Sequence, residues 1–229
     1  MRSSEALKDR VRHTLIGFGY RGGAGLQRRL QTIFNYSDLG RWAKETFGIL
    51  PPHVPSRFEL FQIALSRVSG SAPLYLEFGV YEGGTLRWWV EHLKAEDAHF
   101  VGFDSFEGLP EQWNPYNPPG TFAVAEIPHF DDERVSLQAG WFDDTLPKLE
   151  FPKYDQLIVN IDSDLYSSAN FVLRELEERL VPGTLIYFDE LGDRDHELRA
   201  LREFMIRTDL KLEPLGMSRG GVHWLFEVK

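Results

Sequence analysis

The chain has 229 residues, and its hydrophobic fraction of 42% excludes global disorder and favours one domain, or one domain with an extension. No apolar run reaches the roughly 18 residues that a membrane span needs, and the absence of cysteine excludes disulfides, cysteine nucleophiles and thiolate metal sites. Because the net charge of −10 disfavours contact with phosphates, we expect a soluble, cytoplasmic protein that binds neither nucleic acid nor membrane.

Residues 1–54 are predicted to form an N-terminal arm, a helical extension outside the main domain. Residues 1–30 carry seven basic and two acidic residues, a net charge of +5 that leaves −15 on the remainder. The glycine-rich stretch 17–25 fits neither an apolar signal core nor a regular helix, so we expect residues 1–30 to be loosely packed and to contact a partner subunit or cover a cleft. A targeting or membrane-surface role is the alternative. The arm also carries apolar residues that have no obvious packing site, and these favour a homodimer: Leu15, Ile16, Phe18, Leu26 and Leu30.

Residues 55–229 are predicted to form the main domain, in which strands alternate with helices. Helices are predicted over 56–69, 85–95 and 167–180, and strands over 74–79, 99–104, 135–140, 156–162 and 184–190. Strands that are apolar on both faces are typical of a parallel sheet covered by helices on both sides. Two final strands, over 210–215 and 222–228, predict a closing antiparallel hairpin. The long irregular segment 107–129 is of a length that is usually functional.

Polar residues and glycines follow the first two predicted strands of this domain. Ligands of open α/β sheets bind at the carboxyl ends of the strands, where the strand order reverses. The stretch from Glu77 to Thr85 is a strand–turn–helix with Gly79 and Gly83, but it lacks the central glycine of the dinucleotide fingerprint. A non-phosphorylated nucleoside therefore fits better than a pyrophosphate. Asp104 ends the next strand, where a carboxylate can accept both ribose hydroxyls of an adenosine.

Two acidic clusters end the later strands. Asp162 and Asp164 follow the fourth predicted strand, and Asp189 and Glu190 follow the fifth. If these strands are neighbours, four carboxylates meet at one edge and repel, which raises some of their pKa values. A divalent cation held by oxygen ligands, Mg²⁺ or Mn²⁺, would relieve the repulsion. The alternative for each acid is that it only caps a following helix.

Five segments occur in the order and spacing of a known enzyme family. They are YLEFGVYEGGT (75–85), VGFDSFEGLP (101–110), LQAGWFDDTLP (137–147), VNIDSDLYSS (159–168) and VPGTLIYFDE (181–190). In these segments the chain resembles class I S-adenosylmethionine-dependent methyltransferases, and more narrowly the macrocin O-methyltransferase family, which methylates hydroxyls on the sugars of natural products. The resemblance implies an α/β fold with a Rossmann-like, mostly parallel sheet.

The resemblance also implies a role for each matching position. The residues implied to bind S-adenosylmethionine are Glu77, Gly79, Gly83, Asp104, Ser105, Phe106, Gly140, Trp141, Phe142 and Asp162. The implied ligands of a divalent cation such as Mg²⁺ are Asp162, Asp189 and Glu190, and the implied general base is Asp164. The family commonly has two aspartates and an aromatic residue after the fifth strand, whereas this chain has Asp189, Glu190 and Leu191.

We therefore expect an S-adenosylmethionine-dependent O-methyltransferase, assisted by a divalent cation, that acts on a hydroxyl of a sugar or other natural product. Two alternatives stay open: a Rossmann-type enzyme with a nicotinamide cofactor, and a non-catalytic methyltransferase-like binding module. The arm and segment 107–129 are expected to shape the pocket for the small-molecule acceptor. His196 is an alternative base, and His223 is expected to lie in the core.

Overall fold

The computed structural model describes the backbone of residues 2–229 and, apart from residues 2–4, 6 and 24, their side chains. The described residues form seven α-helices and eight strands. The helices are α1 (Arg2–Arg21), α2 (Ala24–Phe47), α3 (Arg57–Arg67), α4 (Gly84–His92), α5 (Phe142–Thr145), α6 (Tyr166–Glu175) and α7 (Glu197–Thr208). The strands are β1 (His53–Val54), β2 (Pro73–Phe78), β3 (His99–Asp104), β4 (Val135–Ala139), β5 (Gln156–Ile161), β6 (Leu185–Phe188), β7 (Leu212–Ser218) and β8 (Trp224–Val228).

All eight strands belong to one sheet, in the order β1-β7-β8-β6-β5-β2-β3-β4. Neighbouring strands are parallel except at β8, which runs antiparallel to both β6 and β7. The strand order reverses between β2 and β5, because the chain first builds outward from β2 to β4 and then returns to β5 on the other side. The predicted Rossmann-like sheet with a C-terminal hairpin is confirmed.

Helices cover both faces of the sheet, as the apolar strands predicted. The strand residues Leu76 and Phe78 face one layer, which contains α2, α6 and α7. Tyr75, in the same strand, faces the other layer, which contains α3 and α4. Side chains alternate between the faces along a strand, so a strand buried on both sides is apolar almost throughout.

The glycine-rich stretch of the arm is more regular than predicted. Helix α1 continues through Gly17 and Gly19. The helical conformation is interrupted only at Gly22 and Gly23, before α2 begins. The second half of α2 is part of the core, where Trp42 is buried against the sheet. This half lies outside residues 1–30, for which we expected loose packing and in which most described side chains are exposed. The boundary at residue 54 stays a prediction. No helix in residues 2–229 is long and apolar enough to cross a membrane.

Candidate active site

One cavity of about 1050 Å³ opens at the carboxyl ends of β2, β3, β5 and β6, where the strand order reverses. Nine of the thirteen predicted site residues line it: Gly79, Asp104, Ser105, Trp141, Phe142, Asp162, Asp164, Asp189 and Glu190. The other four are Glu77, Gly83, Phe106 and Gly140, which lie beside the cavity but not on its wall. The structure thus brings the predicted nucleoside and carboxylate residues to one place.

Gly79 directly follows β2, at the point where the ends of β2, β3 and β5 meet. Its backbone N–H donates to the carbonyl of Phe103 at 2.9 Å, and the N–H of Asp162 donates to the carbonyl of Phe78 at 2.9 Å. With φ of +101°, Gly79 has a conformation that side chains disfavour, and an added Cβ would overlap the carbonyl oxygen of Asp162. Glycine is therefore required for the strand ends to come this close.

Asp104 fastens the glycine-rich turn to the end of β3. One carboxylate oxygen accepts the backbone N–H groups of Val80 and Tyr81 at 2.8 Å each, and the other accepts that of Phe106 at 2.7 Å. A carboxylate has about four acceptor positions, so three bonds still leave one for a ligand hydroxyl. The predicted ribose contact stays a prediction, but the carboxylate already organises the turn beneath it.

Other predicted residues shape the turns around the cavity. Gly83, with φ of +79°, is the N-cap of α4, and Gly140, with φ of +141°, follows β4. Trp141 is the N-cap of α5, and Phe142 meets Phe78 edge to face at 5.4 Å. Trp141 and Phe142 line the cavity, so their rings provide its apolar side near the end of β4.

Asp162, Asp164, Asp189 and Glu190 form what we call the acidic rim. Burial, followed by the charges of Asp189 and Asp164, raises the pKa of Asp162 well above its usual value. Burial and then Asp189 raise the pKa of Asp164 to about 7, and burial, Asp189 and Asp164 raise that of Glu190 to about 7. A carboxylate with so high a pKa is a stronger base than an exposed one.

The acidic rim has the chemistry of a divalent cation site but not its assembled geometry. All its donors are oxygens that repel one another, which suits Mg²⁺ or Mn²⁺. Asp189, however, accepts the Tyr187 hydroxyl at 2.7 Å and lies 3.5 Å from both Arg57 and His223. Among residues 2–229 no three acidic or histidine side chains converge closely enough to hold a metal ion.

Two residues near Asp189 differ from the sequence prediction: Arg57 was not predicted as a site residue, and His223 was predicted to lie in the core. Arg57 lines the cavity because it is the first residue of α3, which Ser56 and Glu59 begin with a reciprocal capping box. That motif is visible in the sequence, although the direction of the arginine is not. His223 is only partly buried and binds Ser218 at 2.9 Å, so the expectation of a core histidine is wrong.

Segment 107–129 forms one wall of the cavity. Leu109, Trp113 and Phe122 line it, and the indole Nε1 of Trp113 is buried without a hydrogen-bond partner among the described residues. The ring of Trp113 also meets that of His196 edge to face at 6.4 Å, and His196 is the N-cap of α7 rather than a residue of the cavity wall. The segment thus supplies an apolar surface to the cavity.

The arm and α6 both contact this segment. The guanidinium of Arg28 in α2 lies 5.2 Å from the ring centre of Tyr116. The hydroxyl of Ser167 in α6 donates to Glu111 at 2.6 Å. Burial, followed by the charges of Glu190 and Asp193, raises the pKa of Tyr36 in α2, so the arm also reaches the loop after β6.

Glu77 is placed below the cavity, within the sheet. It is fully buried, and one oxygen accepts the Tyr75 hydroxyl at 2.5 Å. Its other oxygen and both amide atoms of Asn160, its partner across the β2–β5 register, have no hydrogen-bond partner among the described residues. Burial raises the pKa of Glu77 to about 8, while the hydrogen bond from Tyr75 lowers it in part.

Glu77 makes the stability depend on pH. Because its folded pKa is about 8 and its ordinary value is 4.5, the folded state holds a proton that the unfolded chain has already released above pH 5. Raising the pH from 5 to 9 therefore destabilises the wild type relative to Glu77→Gln by roughly 4 kcal/mol. Urea unfolding of both proteins at the two pH values measures this difference; a difference that does not change with pH contradicts it.

Comparison with known proteins adds the family. Residues 76–191, half of the chain, match the family model described as a methyltransferase domain. The chain belongs to this methyltransferase family. The matched stretch begins in β2 and ends just beyond the acidic rim, so it contains all thirteen predicted site residues.

Curated relatives of this methyltransferase share part of their length with it. A tetracenomycin 4'-O-methyltransferase of Streptomyces olivaceus is 31% identical over 136 residues, which cover 50% of this chain and 51% of the relative. Demethyldecarbamoylnovobiocin O-methyltransferase of Streptomyces niveus is 27% identical over 171 residues, 65% of this chain and 64% of the relative. Mycinamicin III 3''-O-methyltransferase of Micromonospora griseorubida is 28% identical over 177 residues, which cover 65% of this chain and 66% of the relative. The chain thus spans half to two thirds of these relatives.

Solved structures of other methyltransferases share the fold. The O-methyltransferase NovP has a TM-score of 0.59 at 22% identity, over 75% of this chain and 78% of its own. The calicheamicin methyltransferase CalS11 has a TM-score of 0.58 at 24% identity, over 74% and 76%. Together with the strand order, these similarities confirm the Rossmann-like methyltransferase sheet that the sequence predicted.

Proposed function

We propose that the chain is an S-adenosylmethionine-dependent O-methyltransferase that acts on a hydroxyl of a glycosylated natural product. One observation carries this proposal: the glycine-rich turn, Asp104 and the acidic rim open into the same cavity. A nucleoside cofactor and a hydroxyl acceptor would therefore meet in one space. The family match supports the reaction type, and the names of the three relatives support an acceptor of the natural-product class.

The cofactor would lie along the ends of β2, β3 and β4. Asp104 would accept one ribose hydroxyl, Trp141 and Phe142 would lie near the adenine, and Gly79 and Asp162 would border the methionine end. S-adenosylmethionine supplies a methyl group on a sulfonium, a good leaving group. The chain must then align the acceptor oxygen, the methyl carbon and the sulfur, and exclude water from them.

Asp164 would take the proton of the acceptor hydroxyl. It lines the cavity at the end of β5 and has φ of +60°, a conformation that aspartate tolerates better than most residues. A strained backbone at such a place is common where a functional side chain must be held. Proton transfer to Asp164 would accompany bond formation between the acceptor oxygen and the methyl carbon.

A divalent cation is part of the proposal. Asp162, Asp189 and Glu190 would hold it, and when bound it would acidify and orient the acceptor hydroxyl. The mutual repulsion within the acidic rim supports this assignment, because a cation lowers the cost of gathering these charges.

The acceptor would lie against segment 107–129. Leu109, Trp113 and Phe122 provide an apolar surface. A sugar ring has apolar C–H faces and a periphery of hydroxyls, so it suits a wall of aromatic rings beside carboxylates.

Calorimetry and a transfer assay test the proposal. We expect S-adenosylhomocysteine to bind, with an affinity that depends little on Mg²⁺, and we expect NADH not to bind. The transfer assay combines S-adenosylmethionine, Mg²⁺ and three probes: mycinamicin III, demethyldecarbamoylnovobiocin and the substrate named for the Streptomyces olivaceus relative. Methylation of any probe supports the proposal. Binding of NADH alone contradicts it, and cofactor binding without transfer to any sugar hydroxyl favours the non-catalytic module.

We also propose a homodimer joined through the arm. Leu15 and Ile16 in α1 are 63% and 67% exposed, and the positive charge of residues 1–30 complements the strongly negative remainder of a second copy. Light scattering measures the mass in solution. We expect a dimer that dissociates when Leu15 and Ile16 are both replaced by Glu; a monomeric wild type contradicts this. A cytoplasmic location stays a prediction.

A further inference from the structure

Glu197 connects the two loops that carry the acidic rim. It is the first residue of α7, and its side chain has no exposed surface. One carboxylate oxygen accepts the backbone N–H groups of Ser163 and Asp164 at 3.0 and 3.2 Å, and the other accepts that of Glu190 at 3.0 Å. A single buried side chain thus bridges the loop after β5 and the loop after β6.

There is a physical reason for these bonds. Three backbone N–H groups converge on the two oxygens of a side chain that has no exposed surface, although burial raises the pKa of Glu197 well above its ordinary value. The two oxygens satisfy donors that would otherwise be buried without a partner. The position at the N-terminus of α7 adds the favourable end of the helix dipole. Loss of the carboxylate would leave buried N–H groups without acceptors in both loops.

The cofactor side of the cavity is held independently of Glu197. Asp104 binds the N–H groups of Val80, Tyr81 and Phe106, and none of these residues contacts Glu197 through a hydrogen bond. The two carboxylates therefore organise two different halves of one cavity: Asp104 the glycine-rich turn and Glu197 the acidic rim.

We propose that Glu197 is a positioning residue, which sets the geometry of Asp164 against Glu190 and thereby governs transfer without governing cofactor affinity. It would act only through the loop backbones and would not touch the acceptor or the cofactor. The functional part of this inference rests on the proposed O-methyltransferase activity, whereas the structural part does not.

Glu197→Gln is the informative substitution. Glutamine keeps the size of the side chain but has only one acceptor oxygen. Its NH₂ group is itself a donor, so it cannot accept the backbone N–H of one of the two loops, and that hydrogen bond is lost. The matched control is Glu203→Gln, on the same helix, where the carboxylate binds Tyr166 and Arg199 at the surface.

Amide hydrogen exchange followed by NMR reads out the positioning. In Glu197→Gln we expect exchange at Ser163, Asp164 or Glu190 to become at least about 10-fold faster. Exchange at Val80 and Tyr81, which Asp104 holds, should stay within about 2-fold of the wild type. In the control Glu203→Gln, the exchange rates of both sets of amides should equal those of the wild type.

Binding and turnover complete the test. We expect the affinity for S-adenosylhomocysteine to stay within about 3-fold, while kcat for a probe that the wild type methylates falls on the order of 10–100-fold. Unchanged exchange in both loops, or a loss of cofactor affinity in step with kcat, overturns the proposal. If the Gln variant does not fold, Glu197→Asp, which is too short to reach both loops, is measured with the same expectations. A wild type that methylates no probe contradicts the proposed function, and the exchange result still decides the positioning.

Discussion

Replacing Asp164 with asparagine is expected to lower kcat for methyl transfer about 10²–10⁴-fold, the range for loss of a general base. Asparagine preserves the shape of the side chain and can occupy the same left-handed backbone conformation, but it cannot accept the proton of the acceptor hydroxyl. The measurement is a steady-state transfer assay with a probe that the wild type methylates, next to calorimetry with S-adenosylhomocysteine. The affinity for this product should stay within about 3-fold, because Asp164 lies at the acceptor side of the cavity.

Asp131→Asn is the control for this substitution. Asp131 is 95% exposed, binds only His129, and does not line the cavity, so both kcat and affinity should equal those of the wild type. If Asp164→Asn retains most of its activity, Asp164 is not the base, and the role passes to another group of the acidic rim.

Replacing Gly79 with alanine is expected to reduce both stability and cofactor binding. The new Cβ would overlap the carbonyl oxygen of Asp162, and φ of +101° is unfavourable for alanine, so the ends of β2 and β5 must separate. We expect the free energy of unfolding to fall by roughly 3–4 kcal/mol from strain and overpacking together. Because this turn borders the predicted methionine end, the affinity for S-adenosylhomocysteine should fall on the order of 100-fold.

Gly183→Ala separates the backbone strain at positive φ from the overlap between the new Cβ and a neighbouring strand end. Gly183 has φ of +91°, close to that of Gly79, but an added Cβ would meet no atom within 4 Å, and the residue precedes β6 at the other end of the sheet. It should lose only about 1–2 kcal/mol from backbone strain, with unchanged cofactor affinity. Equal losses in the two variants, measured by urea unfolding, contradict the claim that the contact between the strand ends is what requires glycine.

Several features of the site could be predicted because they are local or periodic. The apolar strands and the alternation with helices indicate a parallel sheet, and parallel strands place their carboxyl ends on one edge. Asp104, Asp162 and Asp189 were recognisable for this reason, since each directly ends such a strand. Gly79 was recognisable because a glycine at a strand end permits a close backbone contact.

Other features depend on side-chain direction and on contacts between distant parts of the chain. Glu77 lies in β2, two residues before Gly79, yet it is fully buried and does not line the cavity. Arg57, Tyr36 and Trp113 come from three separate segments, and no spacing in the sequence relates them to the acidic rim. The packing of the second half of α2 on the sheet was likewise not predicted from the sequence.

What the sequence by itself determined is the sheet, its order of elements and the edge at which ligands bind, because hydrophobic periodicity and strand-end residues are properties of short stretches of chain. What only the tertiary structure decided is how that edge is held together. Glu197 follows the acidic rim in the chain as one acid among several, and only the packing of α7 against the ends of β5 and β6 turns it into a buried bridge. The physical reason is that a hydrogen bond between distant residues depends on three-dimensional distance and direction, which a local pattern does not encode.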